Sequence, residues 1–583
     1  MLANFSRLTL GHYIALAMTI GIVFYFSLAG YPLSNNNEGL YAEIAREMFL
    51  SGNYLVPHLN FVPYIEKPPL LYWLISGSYH IFGVTVFAAR FITATCGALT
   101  VICLCWLGHK IDRAVEAWLA AIMLATSIGF IVIARIVFFD MLLTVCLTFT
   151  LSCFYLWWRS NKKYYLFIAY IFLALAVLAK GMLSLILVPA ICISFLLICK
   201  QKNRITALFN PIGLLLFLAV VLPWHIMASL KHPGFAWEYF INEQILRFLN
   251  DRMPHDYYQG PIYYYIPRIL IYAFPWSLFI PALFKRNPIE DKNPDKLPIF
   301  LALWVIVPLI FFSISQAKAN YYMIISMPAL VFLLSIKIHE KLIKKELGIF
   351  IGVFGVLTAI FAGALIYFSI AEFNVTDLQY QIASLLMPWL YGLLIIALVF
   401  LVLSIIFYAS SQQELNSNLF QVNNKSQVRN IGLLAGVCGL SLVILMAGCG
   451  ILKRIPNQYA ELSIINYLKV QPSSKPIYYY DNYAKQSTLL FYLQRRLPII
   501  DTTDSDMAYG SQTPAAKDWF ISFKQFKKLA KKQACYVALT KESLADFINA
   551  AKGMHFCPVS ESGKGILLSN DQLECKCHDR FCS

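Results

Sequence analysis

Ser34–Pro69, SNNNEGLYAEIAREMFLSGNYLVPHLNFVPYIEKPP, gathers Glu38, Glu43, Arg46, Glu47, Glu66 and Lys67 between long apolar runs and ends in paired prolines. The run before it, Tyr13–Leu28, is long enough to cross a hydrocarbon layer as a helix, so the charged stretch should emerge at a membrane face. Charges held there are unfavourable unless they pair or act on something, which makes the stretch a functional-site hypothesis. An ordinary solvated loop is the competing reading.

Composition decides the class outward from that stretch. The chain has 583 residues, of which 59% are hydrophobic and only 13% charged. A soluble chain of this length needs far more surface charge, so a polytopic membrane protein is expected. Apolar stretches fall near 11–29, 87–107, 114–133, 139–157, 164–179, 182–199, 208–229, 265–284, 298–315, 321–336, 347–369, 385–409 and 431–451, which predicts about 13 transmembrane helices. No small-residue cleavage site clearly follows the first run, so it is expected to stay as a span.

Basic residues orient the chain. Lys110 and Arg113, then Arg159, Lys162 and Lys163, then Lys200, Lys202 and Arg204 fall in alternate loops. Lys285 and Arg286, then Lys337, Lys341, Lys344 and Lys345, then Lys425 and Arg429 continue the series. The positive-inside rule makes these loops cytoplasmic. Ser34–Val86, Lys231–Tyr264, Gln316–Asn320, Glu372–Gln381 and the tail then lie outside. The formal net charge of +16 is mostly this topology signal, and nothing points to nucleic acid as a partner.

Two domains are expected, a transmembrane domain over 1–452 with its active-site loop at 31–86, and a small outer α/β domain over 453–583. In the tail, Pro476–Tyr480, Leu497–Ile500, Ala534–Leu539 and Gly565–Ser569 read as short strands, with helical patterns over Lys485–Gln494 and Lys541–Lys552. The stretch DWFISFKQFKKLAKK places Trp519, Phe520, Phe523 and Phe526 on one face of a helix rich in lysine. Packing on its own domain is expected over lying on a membrane. Five of the 14 cysteines are in the tail, where an oxidising exterior permits disulfides. Cys575-Lys576-Cys577-His578 is a weak metal pattern, since no second ligand pair accompanies it.

Asn35–Asn37 are good helix caps, and Glu38–Leu50 can form a helix behind them. On that helix Glu38 shares a face with Tyr41, Ala42 and Ala45, where a carboxylate needs a reason. Dipole complementation is the bland one; action on a sugar acceptor or a metal is the sharp one. Tyr64-Ile65-Glu66-Lys67-Pro68-Pro69 fixes a charged pair in a stiff segment. Further charged islands are Arg135 to Asp140, Ala179-Lys180-Gly181, Glu243-Gln244 to Arg247-Phe248, and Ser315 to Lys318 and Tyr322. Asp140 opens a long apolar run, so it should function or pair with Arg135. All islands fall on one expected face. Lysines there suit the phosphate of a polyprenyl-phosphate ligand, a carboxylate its transfer chemistry, and apolar walls its tail.

These residues resemble the C-type-fold membrane glycosyltransferases that include the lipid A aminoarabinose transferases and, more distantly, the protein O-mannosyltransferases. The resemblance runs from about Ser34 to Pro328, over Tyr41-Ala42-Glu43-Ile44, Arg46-Glu47-Met48, Glu66-Lys67-Pro68-Pro69-Leu70, Arg135 to Asp140-Met141, Lys180-Gly181, Glu243 to Arg247-Phe248, and Ser315, Lys318 and Tyr322. It implies 13 spans, a periplasmic C-terminal domain, an undecaprenyl-phosphate-linked sugar donor, and a phosphate of lipid A as acceptor. Two departures stand out. The family's Asp-Glu and following Arg are here Asn37, Glu38 and Leu40, and the Glu-His that precedes Arg-Phe is here Glu243-Gln244. That His looks like a metal ligand in the family, partnered by the Glu that matches Glu66.

The expectation is therefore a membrane all-α protein with outer-face amphipathic loops and a small periplasmic α/β domain, in a bacterial inner membrane. It should be an inverting glycosyltransferase moving a sugar from a polyprenyl-phosphate donor to an envelope acceptor, lipid A or a related glycolipid. The expected catalytic residues are Glu38 and Asp140, with Asn37 at the altered position. Lys67, Lys180, Lys318 and Arg247 are expected at the donor phosphate, with Tyr64 and Tyr322 beside it. A divalent metal at Glu66 is an option rather than a requirement. The alternatives are an inactive lipid-binding or scaffold protein and a lipid-linked-sugar transporter.

Overall fold

In hydrocarbon a backbone must satisfy its hydrogen bonds within its own segment, so the apolar runs become helices. The computed structural model describes residues 8–253, 258–284, 296–343, 347–371, 378–416, 424–471, 475–480, 483–501, 507–517 and 519–579. Among these, nine helices are long and apolar enough to cross a membrane, or up to eleven if each of two bent pairs is one span. Two shorter apolar helices, Leu10–Tyr25 and Leu183–Ile198, accompany them. Lys285, Arg286, Lys344, Lys345, residues 372–377 and Cys582 lie outside the described residues, as do the side chains of Lys425, Arg429, Cys577 and His578.

The bent pairs are Ala114–Ala125 with Ile128–Ala134, at 67°, and Tyr265–Tyr272 with Trp276–Phe284, at 117°. Their breaks meet. Ile128 N–H donates to the Phe274 carbonyl at 2.9 Å, and Trp276 Nε1 donates to Thr126 Oγ1 at 2.9 Å. Backbone groups freed at one break are thus partnered by the other, which is what makes broken helices tolerable at membrane depth. Phe139–Ser160 is the central helix, with 94% of its apolar window buried, whereas Leu378–Gln412 buries 22% and faces outward.

The described part of the tail builds a six-stranded sheet in the order Phe520–Ile521, Ile499–Ile500, Ile477–Tyr480, Tyr536–Thr540, Gly565–Ser569, Cys557–Ser562. The first four strands run parallel and the last two pairings are antiparallel. Phe520 lies in a strand instead of the helix expected over DWFISFKQFKKLAKK. Ser522 ends that strand and caps the helix Phe523–Ala530, its hydroxyl accepting from Gln525 N–H at 3.3 Å. Phe523 and Phe526 pack with Phe547 on the sheet. Cys557 and Cys575 form a disulfide, which removes Cys575 from any metal set.

The sheet domain docks on the opening stretch through the asparagines. Asn36 is the N-cap of the helix Asn37–Ser51, yet no side-chain cap bond forms. Asn35 instead accepts from Thr488 N–H and Oγ1, at 3.2 and 2.8 Å, and donates to Glu461. Asn36 N–H donates to the Ala484 carbonyl at 2.8 Å. Asn60, fully buried, donates to the Leu497 carbonyl at 2.8 Å. A Cβ on Gly39 would stand 2.7 Å from Ser487 Oγ and 2.9 Å from Thr488 Cγ2, so only glycine permits this approach. Glu38 to Met48 are therefore all buried, and the helix is exposed only in its last turn.

Burial leaves one carboxylate of that helix poorly matched. Glu43 is paired with Arg46 at 2.7 Å, while Glu47 accepts from backbone N–H groups, Phe61's at 2.9 Å, and its Oε1 has no partner among the described residues. Burial, then the Glu43 charge, pushes the Glu47 carboxyl up from 4.5 to about 8. The folded state thus keeps this proton to about pH 8, whereas an unfolded chain releases it near 4.5. The stability tied to it is full below 4.5 and falls as pH rises toward 8. Glu47→Gln will melt several degrees above wild type at alkaline pH, and the two curves will converge in acid. Thermal melts across that range check this.

Candidate functional site

Several segments bring side chains to one cavity of about 310 Å³. Pro68 and Pro69 stiffen the chain behind Lys67. Phe139–Ser160 presents Asp140 in its first turn, where the helix dipole favours negative charge. Lys163–Lys180 ends on Lys180, and Gly181, at φ 81°, lets the chain turn there against Gln244. The π-helical segment Trp237–Leu246 leads to Arg247, and the turn after Lys296–Ile314 supplies Ser315, Tyr321 and Tyr322.

Asp140 pairs with Lys180, Oδ1 to Nζ 2.5 Å, and not with Arg135. The Lys180 ammonium also stands over the rings of Tyr322, at 4.6 Å, and Tyr321, at 5.4 Å. Lys67 lies 3.5 Å from Glu66 and 3.4 Å from Glu243. Glu243 also meets Arg247 at 3.2 Å and the Arg252 guanidinium, which reaches on to Glu66 at 3.2 Å. Burial alone would raise the Glu243 carboxyl, but Lys67, Arg252 and Arg247 outweigh it and hold it down at about 2. Among the described residues, Lys67, Lys180, Arg247 and Arg252 thus face Asp140, Glu66 and Glu243, a balance of one positive charge. On the other side Leu183, Ile186, Phe248, Leu249 and Phe311 form an apolar wall.

Lys67, Lys180, Arg247, Tyr322 and Asp140 all line this cavity. Tyr64 stands behind it, its hydroxyl 3.5 Å from Glu66. Lys318 does not reach it. Its ammonium donates to the carbonyls of Phe312 and Ser313, at 2.9 and 2.8 Å, and so caps the helix Lys296–Ile314. Glu38 lies outside it as well. That carboxylate accepts from Arg90 Nε at 2.7 Å and Nη2 at 3.0 Å, from Ser34 N–H and Oγ, and from Val137 N–H. Arg90 in turn donates to the Leu28, Tyr31 and Pro32 carbonyls. Glu38 is thereby the anchor that ties the opening stretch to the spans. Asn37 is half-buried in the first turn of the same helix and does not line the cavity.

The metal implied at Glu66 does not fit the described side chains. Glu66 and Glu243 share the Arg252 guanidinium, a fixed cation between two carboxylates. Among the described residues no three His, Cys, Asp or Glu side chains gather to hold an ion. Sequence reasoning missed Arg90 and Arg252. Arg90 carried a usable signal, a lone charge within an apolar span. Arg252 carried none, being one basic residue among several in its loop.

A family model described as Dolichyl-phosphate-mannose-protein mannosyltransferase matches residues 66–227, which include Lys67, Asp140 and Lys180. The undecaprenyl phosphate-alpha-4-amino-4-deoxy-L-arabinose arabinosyl transferase of Yersinia enterocolitica is 31% identical over 342 residues, covering 56% of this chain and 61% of that protein. The corresponding transferase 2 of Proteus mirabilis is 31% identical over 365 residues, covering 59% and 64%. The chain thus spans about six-tenths of the length of these relatives. The crystal structure of ArnT from Cupriavidus metallidurans bound to undecaprenyl phosphate superposes with a TM-score of 0.77 at 20% identity, covering 97% of this chain and 99% of that one. In sequence over part of its length, and in fold over nearly all of it, the chain resembles the undecaprenyl phosphate-aminoarabinose arabinosyl transferases.

Proposed function

We propose that this chain is an inverting glycosyltransferase of a bacterial inner membrane, moving aminoarabinose from an undecaprenyl-phosphate carrier to a phosphate of lipid A or a related glycolipid. The observation that carries this reading is one cavity in which Lys67, Lys180 and Arg247 stand beside an apolar wall. Phosphate oxygens take charge-assisted hydrogen bonds from such cations, and a polyprenyl tail takes the wall. Ile186 is half exposed at the edge of that wall, where a tail can pass into the bilayer. The names of the relatives support the sugar and carrier.

In the transfer, an acceptor oxygen bonds to the anomeric carbon from the side opposite the carrier phosphate. The bond from that carbon to the phosphate oxygen breaks, and its electron pair leaves on the phosphate, where Lys67, Lys180 and Arg247 meet the growing charge. An ionised phosphate acceptor has no proton to give up, so Asp140 then serves to hold Lys180. A hydroxyl acceptor would pass its proton to Asp140. Asp140→Asn separates the two: a hydroxyl acceptor predicts a loss of about 10²–10⁴-fold in turnover, and the phosphate acceptor expected here a far smaller one.

The reading includes thirteen crossings, counting both bent pairs and both shorter apolar helices, with the cavity and the sheet domain on the periplasmic side. The Cys557–Cys575 disulfide supports an oxidising compartment for the sheet. Ser51 and Asn161 are both exposed and fall on opposite expected faces. In a background without other accessible thiols, an impermeant thiol reagent added outside will label Ser51→Cys and spare Asn161→Cys. The reverse pattern would invert the topology. Mass spectrometry of lipid A and envelope glycans from cells with and without the gene tests the function. One added aminopentose that depends on the gene is expected, and unchanged envelopes would overturn the reading.

A further inference from the structure

A second cavity, of about 430 Å³, lies across the segment Arg135–Phe139 from the first. Ile131, Val132, Ile136, Ile444, Leu445 and Leu452 give it apolar walls, and the spans Ile128–Ala134 and Gly432–Arg454 flank it. Val132, 50% exposed, and the exposed Gly448 stand at its rim, so it opens toward the bilayer. Its polar floor is Glu38, Arg90 and Arg135. Glu38 and Arg90 neutralise each other. Arg135 is 2% exposed and donates to the carbonyls of Val23, Phe26 and Ser27, and no carboxylate pairs with it among the described residues. Its Nε–H is buried and has no acceptor among the described residues. A cation without a counterion among the described residues is unfavourable, and an anionic group at the cavity floor would offset its charge.

We propose that this cavity is a binding site for one anionic phospholipid of the bilayer, its phosphodiester at Arg135 and an acyl chain along Ile131, Val132, Ile444 and Leu445. The charge argues for that class. One uncompensated guanidinium matches a lipid of net charge minus one, whose phosphodiester has no headgroup cation beside it, and Lys453 and Arg454, exposed just beyond Leu452, add attraction at the rim. The wall formed by Arg135–Phe139 separates this lipid from the Asp140 cavity, so it is a resident lipid and not the sugar donor.

Gly448 provides a variant that spares the fold. A Cβ there meets nothing within 4 Å, so the side chain of Gly448→Leu starts into open space at the cavity rim. Gly355, equally unobstructed on another span, is the control. Full-length protein in detergent, titrated with phosphatidylglycerol and read by native mass spectrometry, should hold one tightly bound lipid. Phosphatidylcholine and inorganic phosphate should bind at least tenfold more weakly. Gly448→Leu should weaken the phosphatidylglycerol site at least tenfold and leave undecaprenyl phosphate binding unchanged, and Gly355→Leu should match wild type. Arg135→Gln should lose the preference for phosphatidylglycerol over phosphatidylcholine. Unaltered retention in Gly448→Leu, equal binding of phosphatidylcholine, or competition by inorganic phosphate alone would each overturn the proposal. The readout is lipid retention, so it stands or falls apart from sugar transfer.

Discussion

Arg90→Ala will lower stability by about 3–5 kcal/mol, because it leaves the Glu38 carboxylate buried without its counterion. Both side chains are essentially unexposed, and Arg90 additionally holds the carbonyls of Leu28, Tyr31 and Pro32. Whole domains are stable by only about 5–15 kcal/mol, so the variant should accumulate poorly in membranes. Glu38→Gln will be destabilised for the same reason from the other side. Whatever folds of either variant should transfer sugar at a near-normal rate, since neither side chain lines the Asp140 cavity. Replacing both together, Arg90→Met with Glu38→Leu, should recover much of the loss by removing two charges at once. Thermal melts in detergent, with activity normalised to folded protein, check the pattern. A stable but inactive Glu38→Gln would return Glu38 to the chemistry.

Lys180→Ala will weaken binding of undecaprenyl phosphate by roughly 10- to 100-fold. One charge-assisted contact to phosphate contributes roughly 1.5–3 kcal/mol, and each 1.4 kcal/mol is about tenfold. The substitution also strands Asp140, whose charge would then face the phosphate without the 2.5 Å partner it now has. Adding Asp140→Asn to Lys180→Ala should therefore restore part of the affinity, a rescue that simple loss of fold would not give. Lys67→Ala should weaken binding less, because Glu66 and Glu243 already share that ammonium. Titrations of purified protein with undecaprenyl phosphate measure all of these. Unchanged affinity in Lys180→Ala would move the phosphate elsewhere.

Apolar runs are legible from sequence because twenty apolar residues admit few structures in a bilayer. Charges at the ends of those runs are legible for the related reason that they are expensive there. Lys67, Asp140, Lys180, Arg247 and Tyr322 were readable in that way, and they share one cavity. Their pairings were not. Asp140 has Arg135 five residues away in sequence but meets Lys180 across forty. Lys318 has the right charge on the right turn, yet helix-end carbonyls six and five residues back accept its hydrogen bonds. The asparagine run looked like helix capping, because the partner that uses it, Ser487-Thr488, lies about 450 residues on. Which of two charges a third will meet is a property of the tertiary fold, and short-range pattern carries no trace of it.

The Lys67–Lys180–Arg247 cavity is expected to hold a carrier phosphate during sugar transfer. Purified protein incubated with undecaprenyl-phosphate-linked aminoarabinose and lipid A, followed by mass spectrometry of both lipids, tests it most directly. Lipid A carrying one aminoarabinose on a phosphate is expected, with an equal amount of undecaprenyl phosphate released and loss of both products in Lys180→Ala. A wild-type protein that binds undecaprenyl phosphate but forms no glycosylated lipid A, or a Lys180→Ala variant that transfers at the wild-type rate, would contradict it.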